Sequence, residues 1–99
     1  MAIVEVSITP LGTADPSVSR YVAGCLRIVR ESGLSHQLTP MGTVLEGDLD
    51  EILRVIRQMQ ESVFAAGALR VSTLVKIDDR RDRPTHSMAG KIRSVEEKL

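Results

Sequence analysis

One cysteine, no tryptophan, one tyrosine and one phenylalanine are all the sulfhydryl and aromatic chemistry in 99 residues. A single cysteine cannot close an internal disulfide, so nothing points to an oxidising compartment. Two aromatics, Tyr21 and Phe64, cannot build the platforms on which bases stack. Excess charge is missing as well: 13 basic residues balance 13 acidic ones, which removes the electrostatic footprint of a nucleic-acid binder. No apolar run approaches the ~20 residues of a membrane span, and the first ten residues carry Glu5 where a secretory leader needs a basic start. His36 and His86 are far apart, with no cysteine or carboxylate at ligand spacing, so no metal site is expected. Nothing resembles a nucleophile, base and orienting group, and no catalytic residue is expected. These absences lead us to expect a cytoplasmic protein with a single domain over residues 1–99, large enough to bury one core without a cofactor.

What is present is a clear alternation of strand and helix patterns. Ala2 to Pro10 alternates, with Val4, Val6 and Ile8 on one face and Ile3, Glu5, Ser7 and Thr9 on the other. Asp15 followed by Pro16 reads as a helix cap and first turn. Val18, Tyr21, Val22, Cys25, Leu26 and Val29 then form an apolar helical stripe closed by Gly33. A strand over Ser35 to Met41 places His36 and Leu38 toward the core and Gln37, Thr39 and Met41 away from it. Pro40 and Gly42 punctuate a turn into a short strand, Thr43 to Glu46.

Asp48, with Glu51 three residues on, opens a second helix over Leu49 to Ala66, which Gly67 ends. Its stripe is Ile52, Val55, Ile56, Met59 and Val63. Ala68 to Asp79 is the longest strand pattern, with Leu69, Val71, Thr73, Val75 and Ile77 on the core side; its length predicts an overhang beyond the sheet. Arg80 to Arg83 is a solvated charge run ended by Pro84. A short amphipathic helix follows, striped by Met88, Ile92, Val95 and Leu99.

The order β-α-β-β-α-β predicts an α+β, ferredoxin-like split βαβ fold, with two helices on one face of a four-stranded antiparallel sheet and a C-terminal helix appended. The other sheet face is expected to be uncovered. It gathers Glu5, Ser7 and Thr9, Gln37 and Thr39, Glu46 or Thr43, and Arg70, Ser72, Lys76 and Asp78. Such a face can hold a polar small molecule or can simply be a wetted surface. Ile3, Met41 and Leu74 on it suggest coverage by a second subunit. Cys25 reads as a small buried hydrophobe, and the acidic run Asp48, Asp50, Glu51 as carboxylates favouring a helix start.

The segments VEVSITPLGT, LTPMGTVLEGDLDEIL, VSTLVKIDDRRDR and GKIRSVEEKL together resemble the small cytoplasmic thiamine-binding protein family, over nearly the whole chain. The TPMGT…EG element is the specific part. The resemblance implies a ferredoxin-like fold, dimers and dimers of dimers, and binding of thiamine or its hydroxymethylpyrimidine portion without established catalysis. The matching positions for ligand contact are Glu5, Ser7, Thr39, Thr43 and Glu46, with Asp78 as a second carboxylate and Met41 as a stacking surface. An aminopyrimidine has an amino donor and ring-nitrogen acceptors, which suit carboxylates and hydroxyls. Two other readings compete: a module that assembles through the open sheet face, edge strand and last helix, and an enzyme acting on thiamine breakdown products.

Overall fold

The computed structural model describes residues 1–82 and 87–99; Arg83, Pro84 and His86, used above, lie outside them. The chain runs β1 (Ala2–Pro10), α1 (Ser19–Ser32), β2 (Ser35–Thr39), β3 (Gly42–Gly47), α2 (Leu49–Ala65), β4 (Val71–Asp79) and α3 (Met88–Glu96). The strands form one antiparallel sheet in the order β2-β3-β1-β4. This is the split βαβ arrangement: each crossover returns the chain beside a strand it did not leave, and both helices pack on the same face.

The core is what the stripes require. Val4 and Val6 of β1 and Leu45 of β3 meet Tyr21, Cys25 and Val29 of α1 and Ile52, Val55, Ile56, Met59 and Val63 of α2. Each fully buried valine, leucine, isoleucine or methionine among them contributes about 1.5–3 kcal/mol of burial. Asp48 caps α2 as the sequence predicts, its carboxylate accepting from the Glu51 N–H at 3.2 Å. At the other end Gly67 takes φ 111°, Ala68 N–H donates to Val63 O and Gly67 N–H to Phe64 O. That pair of bonds satisfies carbonyls the helix would otherwise leave bare.

Several boundaries differ from the sequence reading. α1 starts at Ser19, after Val18, and no side chain caps it. The Asp15 carboxylate instead accepts from Ser17 N–H at 2.9 Å, a local turn that uses up the capping group before the helix begins. β2 stops at Thr39, not Met41. There Thr39 Oγ1 donates to Gly42 O and accepts from the Met41 and Gly42 N–H groups, folding the chain back at Pro40. Leu38 keeps its helix-side position opposite Thr43 but is 52% exposed, because β2 is an edge strand.

The expected overhang of the last strand is absent. β4 pairs with β1 along its whole nine residues, from Ala2 opposite Asp79 to Pro10 opposite Val71. The three residues before it are spent elsewhere: Ala68 closes α2, Arg70 O accepts from Leu11 N–H, and Leu69 is 95% exposed instead of facing the core. The second sheet face is not left bare either, since α3 of the same chain docks across one end of it. Ser87 caps α3 through Gly90 N–H, Met88 N–H donates to Glu46 Oε2 at 2.7 Å, and the Lys91 ammonium pairs with Asp78.

Candidate ligand-binding site

The unequal lengths of the strands make a notch. β1 pairs with β3 only from Ala2 to Val6, opposite Gly47 to Thr43. Ser7 to Pro10 continue along β4 with no strand on their other side. The β2–β3 turn, the tail of β1 and the start of α1 enclose a cavity of about 170 Å³ there. Val18, Val22, Cys25, Leu38 and Met59 give it apolar walls, and Thr39, Met41, Gly42 and Thr43 close the hairpin side. Gly42 can lie this close to β1 only because it lacks a side chain: a Cβ would fall 2.7 Å from Val6 O.

Thr43 is the buried polar side chain among the described residues, 6% exposed. The register sets it opposite Val6 and Leu38, on the helix side of the sheet and not on the open face. Thr39, by contrast, spends its hydroxyl on the turn, while no described group hydrogen-bonds Thr43 Oγ1. A buried hydroxyl without a partner costs about 1–3 kcal/mol, and such orphans mark places where another molecule supplies the bond.

The thiol of Cys25 lies in the same wall, reaching Met59 O at 3.6 Å and Ser62 Oγ at 3.8 Å. Burial pushes its pKa above the usual 9.0, partly offset by Ser62. A neutral thiol is a poor nucleophile and a good apolar wall.

The seven expected contact residues are therefore divided. Ser7, Thr39, Met41 and Thr43 line the notch. Glu5 and Asp78 line a separate cleft of about 300 Å³ between the sheet and α3, with Gln37, Lys76 and Lys91 around an apolar floor of Ile3, Val44 and Met88. Glu46 lines neither; its carboxylate holds the first turn of α3. The walls Val18, Val22 and Met59 were read only as core stripe. Nothing in their spacing distinguishes a residue that packs on protein from one that packs on a cavity. No group of three or more His, Cys, Asp or Glu side chains among the described residues could hold a metal, and no described helix is long and apolar enough to cross a membrane.

Comparison with known proteins adds the lineage. The family model described as "Thiamine-binding protein" matches residues 4–96. UPF0045 protein YqgV of Bacillus subtilis is 45% identical, over all of this chain and 98% of that one. A UPF0045 protein of Methanothermobacter thermautotrophicus is 39% identical over the full length of both. Among solved structures, the Methanocaldococcus jannaschii protein MJ1052 superposes with a TM-score of 0.88 at 38% identity, covering 97% of this chain and 96% of its own. Thermotoga maritima TM0486, at 16% identity and a TM-score of 0.80, covers 95% and 97% and has the same fold.

Proposed function

The chain belongs to the thiamine-binding protein family, and from that premise we propose that it binds thiamine or the related hydroxymethylpyrimidine in the cytoplasm, without transforming it, in the notch beside β1. The observation that carries this reading is the Thr43 hydroxyl, buried and unpartnered at the wall of an apolar cavity. An apolar cavity of about 150 Å³ takes a benzene-sized ring, so 170 Å³ suits one substituted pyrimidine. The thiazolium ring then lies at the mouth, beside Met41 and the exposed start of α1. Holding a ligand needs no activated nucleophile, and the neutral Cys25 thiol is consistent with that.

Calorimetric titration of ligand-stripped protein with thiamine, hydroxymethylpyrimidine and thiamine phosphate is the test. Saturable heat with all three, roughly tenfold or more weaker in Thr43→Val, is expected. Heat with none of them from folded protein removes the reading.

A second reading is favoured by one observation. Ile92 and Val95 on the last helix, Leu99 beyond its end at Glu96, and Leu74 on the sheet face the helix shares, are exposed. We propose self-association through that face, as a dimer and dimer of dimers. Light scattering on a chain ending at Ser87 tests it: an unchanged mass counts against an interface there.

A further inference from the structure

We infer that the notch reads its ligand through the bare backbone edge of β1, with the N–H and C=O of Ile8 as a paired donor and acceptor, and that it therefore selects 4-aminopyrimidines over 4-oxopyrimidines. The inference rests on the function proposed above and deepens it.

In an antiparallel ladder, alternate residues turn both backbone polar groups to the same neighbour. Leu11 N–H bonds Arg70 O on the β4 side, so the odd residues of β1 face β4. The even residues face β3, as the closeness of Val6 O to Gly42 requires. Val4 and Val6 have Leu45 and Thr43 opposite them. Ile8 has the same orientation but lies beyond the last rung, where the cavity begins. No backbone group of a turn or loop bonds it. Strand-edge N–H and C=O groups demand partners.

A 4-aminopyrimidine presents a matching edge. Its ring nitrogen accepts from the Ile8 N–H while its amino group donates to the Ile8 C=O. This is β-augmentation carried out by a flat ring in place of a peptide. Thr43 Oγ1, at the opposite wall, gives a third polar point that fixes which way round the ring lies. A 4-oxopyrimidine carries the reversed pattern, a carbonyl beside a ring N–H. It can satisfy Ile8 only by turning over, which carries its 5-substituent away from Thr43.

The test is a pair of titrations with 4-amino-5-hydroxymethyl-2-methylpyrimidine and its 4-oxo counterpart. The expected result is saturable binding of the amino compound, with the oxo compound roughly 10- to 100-fold weaker. A semisynthetic chain with an ester in place of the Ile8 amide, retaining the side chain, should lose about tenfold or more for the amino compound. In Thr43→Val the amino-to-oxo ratio should shrink. Equal affinity for the two pyrimidines overturns the edge readout while leaving ligand binding in place. Absence of binding by either compound and by thiamine overturns both. Should the ester chain fail to fold, the pyrimidine pair still decides.

Discussion

Gly42 and the backbone carbonyl of Val6 are in such close approach that a single added methyl group at Gly42 would lie 2.7 Å from the oxygen. The β2–β3 turn is thereby pressed against β1 at the one point where the ladder ends and the notch begins. Gly42→Ala must push the hairpin away from β1, since a backbone carbonyl in a ladder cannot give way cheaply. A loss of about 1–3 kcal/mol is expected, read as a lower urea midpoint. The same shift opens the cavity, so ligand affinity should fall with stability.

Thr43→Val separates affinity from stability. The change deletes an unpartnered buried hydroxyl and keeps the shape of the side chain. Ligand-free protein should be stabilised by about 1 kcal/mol, while affinity for thiamine falls. A drop in the stability of the free protein would mean that the hydroxyl has a partner within the fold.

Glu46→Gln tests the anchoring of α3. The carboxylate takes the Met88 N–H at 2.7 Å, and replacing a charged acceptor with a neutral one should weaken that bond by about 1 kcal/mol. Hydrogen exchange should quicken across Met88 to Glu96 and remain unchanged in α2. Affinity for the ligand should not change if the notch is the site. A large loss of affinity would move the site to the α3 side of the sheet.

Cys25 predicts an alkaline limit. Its pKa in the fold is raised above the usual 9.0 by burial, so on raising the pH the unfolded chain loses its proton first. The unfolded state then binds fewer protons than the folded one, and stability declines as pH rises above about 9 toward the folded pKa. Below that the contribution is fully present. Cys25→Ala should flatten this part of the profile in urea titrations between pH 8 and 10. Native protein should also react slowly with thiol reagents, and unfolded protein quickly.

The architecture was legible where local pattern and tertiary environment agree. The alternation in β1 gave its faces and ends correctly, and Asp48 with Gly67 bracketed α2. Asp15 and Pro16 misled because the same carboxylate that can cap a helix can close an Asx turn two residues on, and here it does. Leu69 looked like strand core, but β4 begins only where β1 offers a partner.

The notch itself was hidden for a different reason. It exists because nine residues of β1 meet nine of β4 but only five of β3, and pairing length is a property of distant segments. Alternation left Glu46 or Thr43 as the open-face residue of β3; the register gives that place to Glu46, opposite Ile3, and turns Thr43 to the helix side, opposite Val6. The docking of α3 on the second face depends on Glu46 and Asp78, whose partners lie far along the chain.

The full-length ladder between β1 and β4 has a consequence during synthesis. Ala2 finds Asp79, and Pro10 finds Val71, only after most of the chain exists. At the ~5–20 residues per second of translation, β1 waits several seconds or more with one flank open, although β3 can zip to the other flank much earlier. A growing chain thus carries Ile3, Val4 and Val6 on an incomplete sheet, with slow, long-range closure as its last step. Nascent-chain pausing after residue 47 would prolong the interval in which that flank of β1 stays unpaired.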